Sequence, residues 1–174
     1  AQAYFCGFDF LILQQRESFS FTKRSRRPPL DPVNAMLSFA YTLLAQDCAA
    51  ALEGVGLDPY VGFLHRPRPG RTSLALDLME ELRAVLADRF VVTCINQKVL
   101  TGKHFHQQES GAVLLTDEGR RAFLKAWQQR KQQTLQHPFL NEKIPWGLVP
   151  HVQALLLART LRGDMERYPP FFWK

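Results

Sequence analysis

Asp31-Pro32-Val33-Asn34-Ala35-Met36-Leu37-Ser38-Phe39-Ala40-Tyr41-Thr42-Leu43-Leu44 is the stretch that decides the fold class. An aspartate able to accept hydrogen bonds from a first turn precedes proline at the first helical position, where a missing N–H costs nothing. Val33, Met36, Leu37, Ala40, Tyr41 and Leu44 then recur at steps of three and four. One apolar face therefore runs along a helix spanning residues 33 to 53. Glu53-Gly54-Val55-Gly56 ends it, because glycine takes the left-handed conformations that stop a helix.

Downstream, Asp58-Pro59 opens an irregular segment that lasts to Thr72, and the prolines at 67 and 69 forbid regular helix within it. Thr72 or Ser73 caps the next helix, whose stripe is Ala75, Met79, Leu82, Leu86 and Phe90, with Asp77, Glu80, Glu81 and Arg83 opposite. Val91 to Leu100 suits a strand or the same helix continuing past a bend. His104 to Leu115 alternates loosely around Gly111, as a small hairpin or an irregular excursion would. Thr116-Asp117-Glu118 starts another helix, with acids well placed for its dipole, Phe123, Leu124 and Trp127 on its apolar side and Pro138 as its breaker. Pro145 and Pro150 frame a turn, and a last helix runs from His151 to Glu166 through Val152, Leu155, Leu156 and Leu161. The expected architecture is mainly α: one helical domain over residues 1–174, with at most a short β-hairpin near 104–115.

Upstream of the deciding helix, the apolar stretch Ala1 to Leu13 opens abruptly, so further residues are expected before it. Gln14 to Leu30 then sets Arg16, Lys23, Arg24, Arg26 and Arg27 against Glu17. Phe19 and Phe21 lie among these charges, placed either to stack on nucleic-acid bases or to anchor a solvated loop.

With 174 residues and 20.0 kDa, the chain is too long for a metal- or disulfide-dependent mini-domain. Its 46% hydrophobic and 22% charged residues exclude a disordered tail. The formal charge is +6, and 15 Arg to 7 Lys favour a polyanionic partner, since a guanidinium grips phosphate with two hydrogen bonds. Cys6, Cys48 and Cys94 sit far apart in apolar stretches and read as buried thiols in a reducing compartment. No signal peptide is recognisable, and no apolar run reaches the roughly 20 residues of a membrane helix. The expectation is a cytoplasmic protein with no membrane partner.

Chemistry concentrates between His65 and Glu81. A histidine on an irregular loop precedes a helix carrying Asp77 and Glu80 three residues apart, hence on one face. Imidazole and carboxylate donors there suit Mg²⁺ or Mn²⁺ with positions left for water and phosphate, and Arg66, Arg68 and Arg71 flank such a phosphate. The same residues also fit a bland reading, with helix-capping acids and a histidine bonded to a backbone carbonyl. His104 and His106 lack partners for a zinc set and read as solvent-facing, while His137 and His151 read as structural. No nucleophile elbow, Walker loop or dinucleotide fingerprint is present.

Gly62-Phe63-Leu64-His65 followed by Ser73-Leu74-Ala75-Leu76-Asp77-Leu78-Met79-Glu80-Glu81-Leu82-Arg83 resembles the catalytic core of the CRISPR adaptation integrases, protein one of the CRISPR-associated set. The likeness extends to Arg26-Arg27-Pro28-Pro29-Leu30-Asp31-Pro32-Val33-Asn34, Ser38-Phe39-Ala40-Tyr41, Leu115-Thr116-Asp117-Glu118-Gly119-Arg120-Arg121 and Tyr168-Pro169-Pro170-Phe171, in order along the whole chain. The resemblance implies a helical C-terminal catalytic domain, with the family's N-terminal β domain absent. It implies His65 and Glu80 as metal ligands, Asp77 as an acid beside the metal and Tyr41 near the DNA end. A further family glutamate precedes the Ala1-Gln2-Ala3-Tyr4-Phe5 pattern and lies outside these residues, so the chain alone is expected to be nearly inactive. Arg66, Arg68, Arg71, Arg83 and the basic-loop residues Arg24, Arg26 and Arg27 are the expected phosphate contacts.

The implied reaction inserts short foreign DNA fragments into a CRISPR repeat array, a 3′-hydroxyl attacking a phosphodiester with Mg²⁺ or Mn²⁺ present. The implied partners are the double-stranded fragment, the repeat DNA, a second copy of the chain and a smaller CRISPR-associated dimer. The alternatives are a non-catalytic helical DNA-binding scaffold of the same complex and an unrelated metal phosphohydrolase.

Overall fold

The computed structural model describes residues 2–173. Its elements are α1 (Gln2–Cys6), a 3₁₀ turn (Phe8–Leu11), α2 (Pro32–Gly54), α3 (Ser73–Leu82), a π-helical segment (Arg83–Asp88) and α4 (Arg89–Asn96). They continue with β1 (Phe105–Gln107), β2 (Val113–Leu115), α5 (Asp117–Gln132), β3 (Thr134–Gln136), β4 (Lys143–Pro145) and α6 (Val149–Leu161). The fold is mainly helical, with two small antiparallel strand pairs. The backbone forms two compact units, residues 1–40 with 88–129 and residues 41–87 with 130–174.

In the first unit, Asp31 caps α2 as its sequence implies: Oδ1 accepts the Asn34 N–H at 2.7 Å. Buried Asn34 then ties the basic loop down, its Nδ2 donating to the Lys23 carbonyl at 2.8 Å and its Oδ1 accepting from Arg24 Nη1 at 2.7 Å. Phe19 and Phe21 are buried, and Phe21 packs on Phe5 and Phe8 with ring centroids 5.7 and 5.0 Å away. They anchor the loop and are not available to stack on bases. A second aromatic cluster joins Phe90 edge-on to Phe123 and Trp127.

Residues 91–96 resolve in favour of the continuing helix, reached through the π-helical segment and forming α4, which ends before residues 97–100. The stripe Ala75, Met79, Leu82, Leu86, Phe90 is buried throughout. The hairpin near 104–115 forms as β1 and β2, pairing Phe105 with Leu115 and Gln107 with Val113.

Several expectations need correction. A second pair, β3 with β4, was not anticipated, because each strand has three residues and Pro138 read as a helix breaker and Pro145 as the edge of a turn. Accordingly α5 ends at Gln132, well before Pro138, and α6 begins at Val149 and stops at Leu161. Leu124, Leu155 and Leu161 point outward. Cys6 is exposed, whereas burial raises the Cys94 thiol to about 12 and pushes Cys48 up further. His104 is buried, with Nδ1 accepting the Thr101 N–H at 3.0 Å, while His106 is exposed as expected. Among the described helices α2 is long and apolar enough to cross a membrane, which the sequence reading missed because Ser38, Thr42 and Gln46 interrupt the run. Its residues Val33, Met36, Leu37, Ala40 and Leu44 are instead buried in protein.

In the second unit, Lys131 of α5 pairs with Asp47 of α2 at 2.7 Å, and Arg130 lies 4.9 Å over the Trp146 ring. His137, at the end of β3, is fully buried. Its Nδ1 accepts the N–H groups of Phe139 and Leu140 at 3.3 and 3.2 Å, so its proton sits on Nε2 and is donated to Gln153 Oε1 at 3.2 Å. Burial lowers the His137 pKa below its ordinary 6.5, against a smaller opposing effect of the Gln153 hydrogen bond. The unfolded chain then binds the proton more readily, so stability is complete above pH 6.5 and declines as pH falls below it. Urea denaturation from pH 8 to pH 5 should show this decline, and His137→Ala should flatten it while costing ~2–4 kcal/mol at pH 8 through the stranded amides and glutamine.

Candidate metal and phosphate site

The loop from Pro59 to Thr72 is pinned to α3 at several points. Thr72 occupies the cap position without a side-chain capping bond; the Pro59 carbonyl instead accepts the Leu74 and Ala75 N–H groups at 2.9 and 3.3 Å. Gly62 lies so close to the helix that an added Cβ would stand 2.7 Å from Ser73 Cβ and 2.9 Å from Asp77 Oδ2. Only glycine allows that approach.

Asp77, expected on the polar side of α3, is buried and gathers the loop. Its Oδ2 accepts the N–H groups of Phe63 (2.6 Å) and Leu64 (2.9 Å), and its Oδ1 accepts the His65 N–H (2.9 Å) and His65 Nδ1–H (2.6 Å). Burial acts to raise the Asp77 pKa, but the donors from Leu64, the His65 ring, Phe63 and the His65 backbone together hold it below the ordinary carboxylate value of 3.8. The carboxylate is ionised at neutrality, so a neutral His65 carries its proton on Nδ1 and keeps the Nε2 lone pair open.

One turn along, Glu80 is exposed and its Oε1 pairs with Arg83 Nη1 at 2.8 Å. The same guanidinium lies 5.5 Å from the ring centroid of half-buried Tyr41. The structure thus brings the expected residues together in two groups, His65 of the loop with Asp77 of α3, and Glu80 of α3 with Arg83 and, on α2, Tyr41. Arg66, Arg68 and Arg71 ride the loop tip, where Arg68-Pro69-Gly70-Arg71 forms a turn closed by the Arg71 N–H to Arg68 carbonyl bond at 3.0 Å, with Gly70 at φ +71°. Arg66 and Arg68 are exposed and Arg71 half-buried, and none of the three guanidinium groups has a partner among the described residues. In the other unit Arg26 and Arg27 are exposed, while Arg24 is engaged with Asn34 and Ser38 at the start of α2.

Sequence reasoning missed a network behind Glu80. Glu81 Oε2 accepts the Phe171 N–H at 2.8 Å and Gln153 Nε2 at 2.9 Å, and Gln153 also donates to the Tyr168 hydroxyl oxygen at 2.7 Å. Burial, reinforced by the Glu81 charge, pushes the Tyr168 hydroxyl well above its ordinary range. The only advance signal was a glutamine amid the apolar residues of the last helix. A cavity of about 240 Å³ opens among Leu74, Leu78, Leu157 and Pro170, with Asp77, Glu81 and Tyr168 also on its wall.

An imidazole nitrogen and a carboxylate are donors that Mg²⁺ and Mn²⁺ accept, and a carboxylate behind the imidazole is the usual support of a metal-bound histidine. Among the described residues no three His, Cys, Asp or Glu side chains cluster around one point. By donor chemistry alone His65 and Glu80 suit such an ion.

Residues 1–129 match the family model described as CRISPR associated protein Cas1. A CRISPR-associated endonuclease Cas1 of Rhodospirillum rubrum is 60% identical over 174 residues, covering 100% of this chain and 51% of that protein. The chain thus spans about half the length of such curated relatives. Among solved structures, a casposase bound to integration product is similar with TM-score 0.86 and 28% identity over 99% of this chain and 49% of that one. A Cas6-RT-Cas1–Cas2 complex contains a chain similar with TM-score 0.80 and 25% identity, over 98% of this chain and 18% of that one.

Asp77→Asn should cost ~1–3 kcal/mol in urea denaturation and speed hydrogen exchange at the amides of Phe63, Leu64 and His65, since a neutral amide oxygen is a weaker acceptor than a carboxylate. Gly62→Ala should cost ~1–3 kcal/mol by forcing the loop backbone off α3; unchanged stability would mean the loop is not held against the helix.

Proposed function

The chain belongs to the Cas1 family of CRISPR-associated proteins, and on that premise we propose that it carries the metal and phosphate ligands of a DNA strand-transfer centre. The reading rests on one observation above all: Asp77, one helical turn before Glu80 on α3, locks the His65 ring so that Nε2 is the open nitrogen. Its support from known proteins is the family match, a relative named as an endonuclease and the fold shared with a casposase bound to integration product.

In this reading His65 Nε2 and a Glu80 oxygen are the chain's ligands for Mg²⁺ or Mn²⁺. A bound divalent cation supplies positive charge to the reacting phosphate. Everything else falls to the chain. Asp77 holds the tautomer and orientation of His65, and Arg66, Arg68 and Arg71 position the DNA backbone through charge and bidentate hydrogen bonds. Tyr41 sits beside the fragment end. The 3′-hydroxyl oxygen bonds to phosphorus as one P–O bond of the repeat strand breaks, and the hydroxyl proton is balanced by protonation of the departing oxygen. One phosphodiester is exchanged for another, so no external energy source is consumed.

The partners in this reading are the DNA fragment, repeat DNA, a second copy of the chain and the smaller CRISPR-associated dimer, in keeping with a similar chain in a Cas1–Cas2 assembly. Strand transfer of fragments with 3′ overhangs into a repeat-bearing plasmid, assayed in the full-length protein with its partner and Mn²⁺, tests it. Glu80→Ala should lower joined product by at least ~10²-fold while DNA binding persists, and Asp77→Asn by ~10–100-fold. DNA binding without any wild-type joining, in well-folded protein, would favour the scaffold role.

A further inference from the structure

We propose that Arg83 is a gated phosphate ligand: it is held by Glu80 while that carboxylate carries no cation and turns to DNA phosphate once the carboxylate is occupied. The inference rests on the reading of Glu80 as a metal ligand.

Arg83 has five N–H donors in a rigid plane. One of them, on Nη1, pairs with Glu80 Oε1 at 2.8 Å, and the remainder have no hydrogen-bond partner among the described residues. A guanidinium at that distance and a divalent cation compete for the same small carboxylate, because both are positive and both need its charge. The pair is easily exchanged. Its members lie three apart on a helix surface, with side chains 20% and 37% exposed, a setting in which ion pairs hold weakly.

Tyr41 makes the exchange a swing of the head group rather than a loss to bulk water. Its ring centroid is 5.5 Å from the Arg83 guanidinium carbon, within cation–π range, so the group keeps a seat when Glu80 releases it. A guanidinium still on the ring and no longer neutralised by Glu80 presents its donors next to the metal ligand, where the reading puts phosphate. Cation and DNA then favour one another's binding by the same factor, as linkage requires.

The decisive experiment needs no metal. Duplex DNA binding is measured with EDTA across a salt series for wild type, Glu80→Gln, Arg83→Gln and the double variant, after equal thermal stability is established. Glu80→Gln frees Arg83 from its charged partner and should steepen the slope of log K against log salt by ~0.9, the value of one further phosphate contact on duplex DNA. The same change in the Arg83→Gln background should leave the slope where it was. Equal steepening in both backgrounds, or none in either, overturns the inference. Mn²⁺ uptake followed by electron paramagnetic resonance adds a second arm: Arg83→Gln should bind Mn²⁺ several-fold more tightly, and weaker binding would show Arg83 to be a support of Glu80 and overturn the gate. Mn²⁺ uptake unaffected by His65→Ala, or no DNA binding by wild type, would overturn the functional reading itself.

Discussion

The site depends on a single buried carboxylate. Asp77 takes four hydrogen bonds from three consecutive residues, Phe63, Leu64 and His65, and so converts an irregular stretch into a fixed platform. Burying a charge is unfavourable unless donors surround it, and here the loop's own amides do so. The dependence is mutual: the loop has no regular ladder to satisfy those amides, and among the described residues no lysine or arginine pairs with the aspartate. Glycine at 62 is part of the same arrangement, since any side chain there would hold the amides out of reach.

Behind the platform a second polar knot uses a neutral group. Gln153 is buried between His137, whose Nε2–H donates a hydrogen bond to its oxygen, and Glu81 and Tyr168, which accept its amide hydrogens. A carboxylate there would face Glu81 with like charge, and an ammonium could not accept from the histidine. An amide carries both functions in one side chain, which is why glutamine suits an otherwise apolar helix face.

Legibility in the sequence followed the range of the interactions. The start of α2 was readable because Asp31 and Pro32 act within one turn, and the irregular course of the stretch after Pro59 was readable because prolines 67 and 69 forbid helix locally. The strands β3 and β4 were not, since nothing in three residues such as Thr134-Leu135-Gln136 announces a partner at Lys143–Pro145. Asp77 was recognised as a site residue but placed on the wrong side, because an amphipathic pattern sorts side chains by polarity and is blind to donors twelve to fourteen residues away. His104 was misjudged on a different ground: its partner Thr101 is only three residues away, but its burial is set by packing that the local spacing does not show. The link between Arg83 and Tyr41 spans forty-two positions and left no local trace.

The way the loop is fastened has a consequence for how it can change. Pro59 is tied to the first turn of α3 and the 63–65 amides to Asp77, so the histidine's position is settled before the chain reaches Arg66. What lies between Arg66 and Arg71 is a closed excursion whose ends are already paid for. Lengthening such an excursion costs closure entropy only logarithmically, ~0.6 kcal/mol for each doubling. The arginine-bearing tip is therefore free to be extended, shortened or recharged, while the histidine beneath it stays in register with its helix.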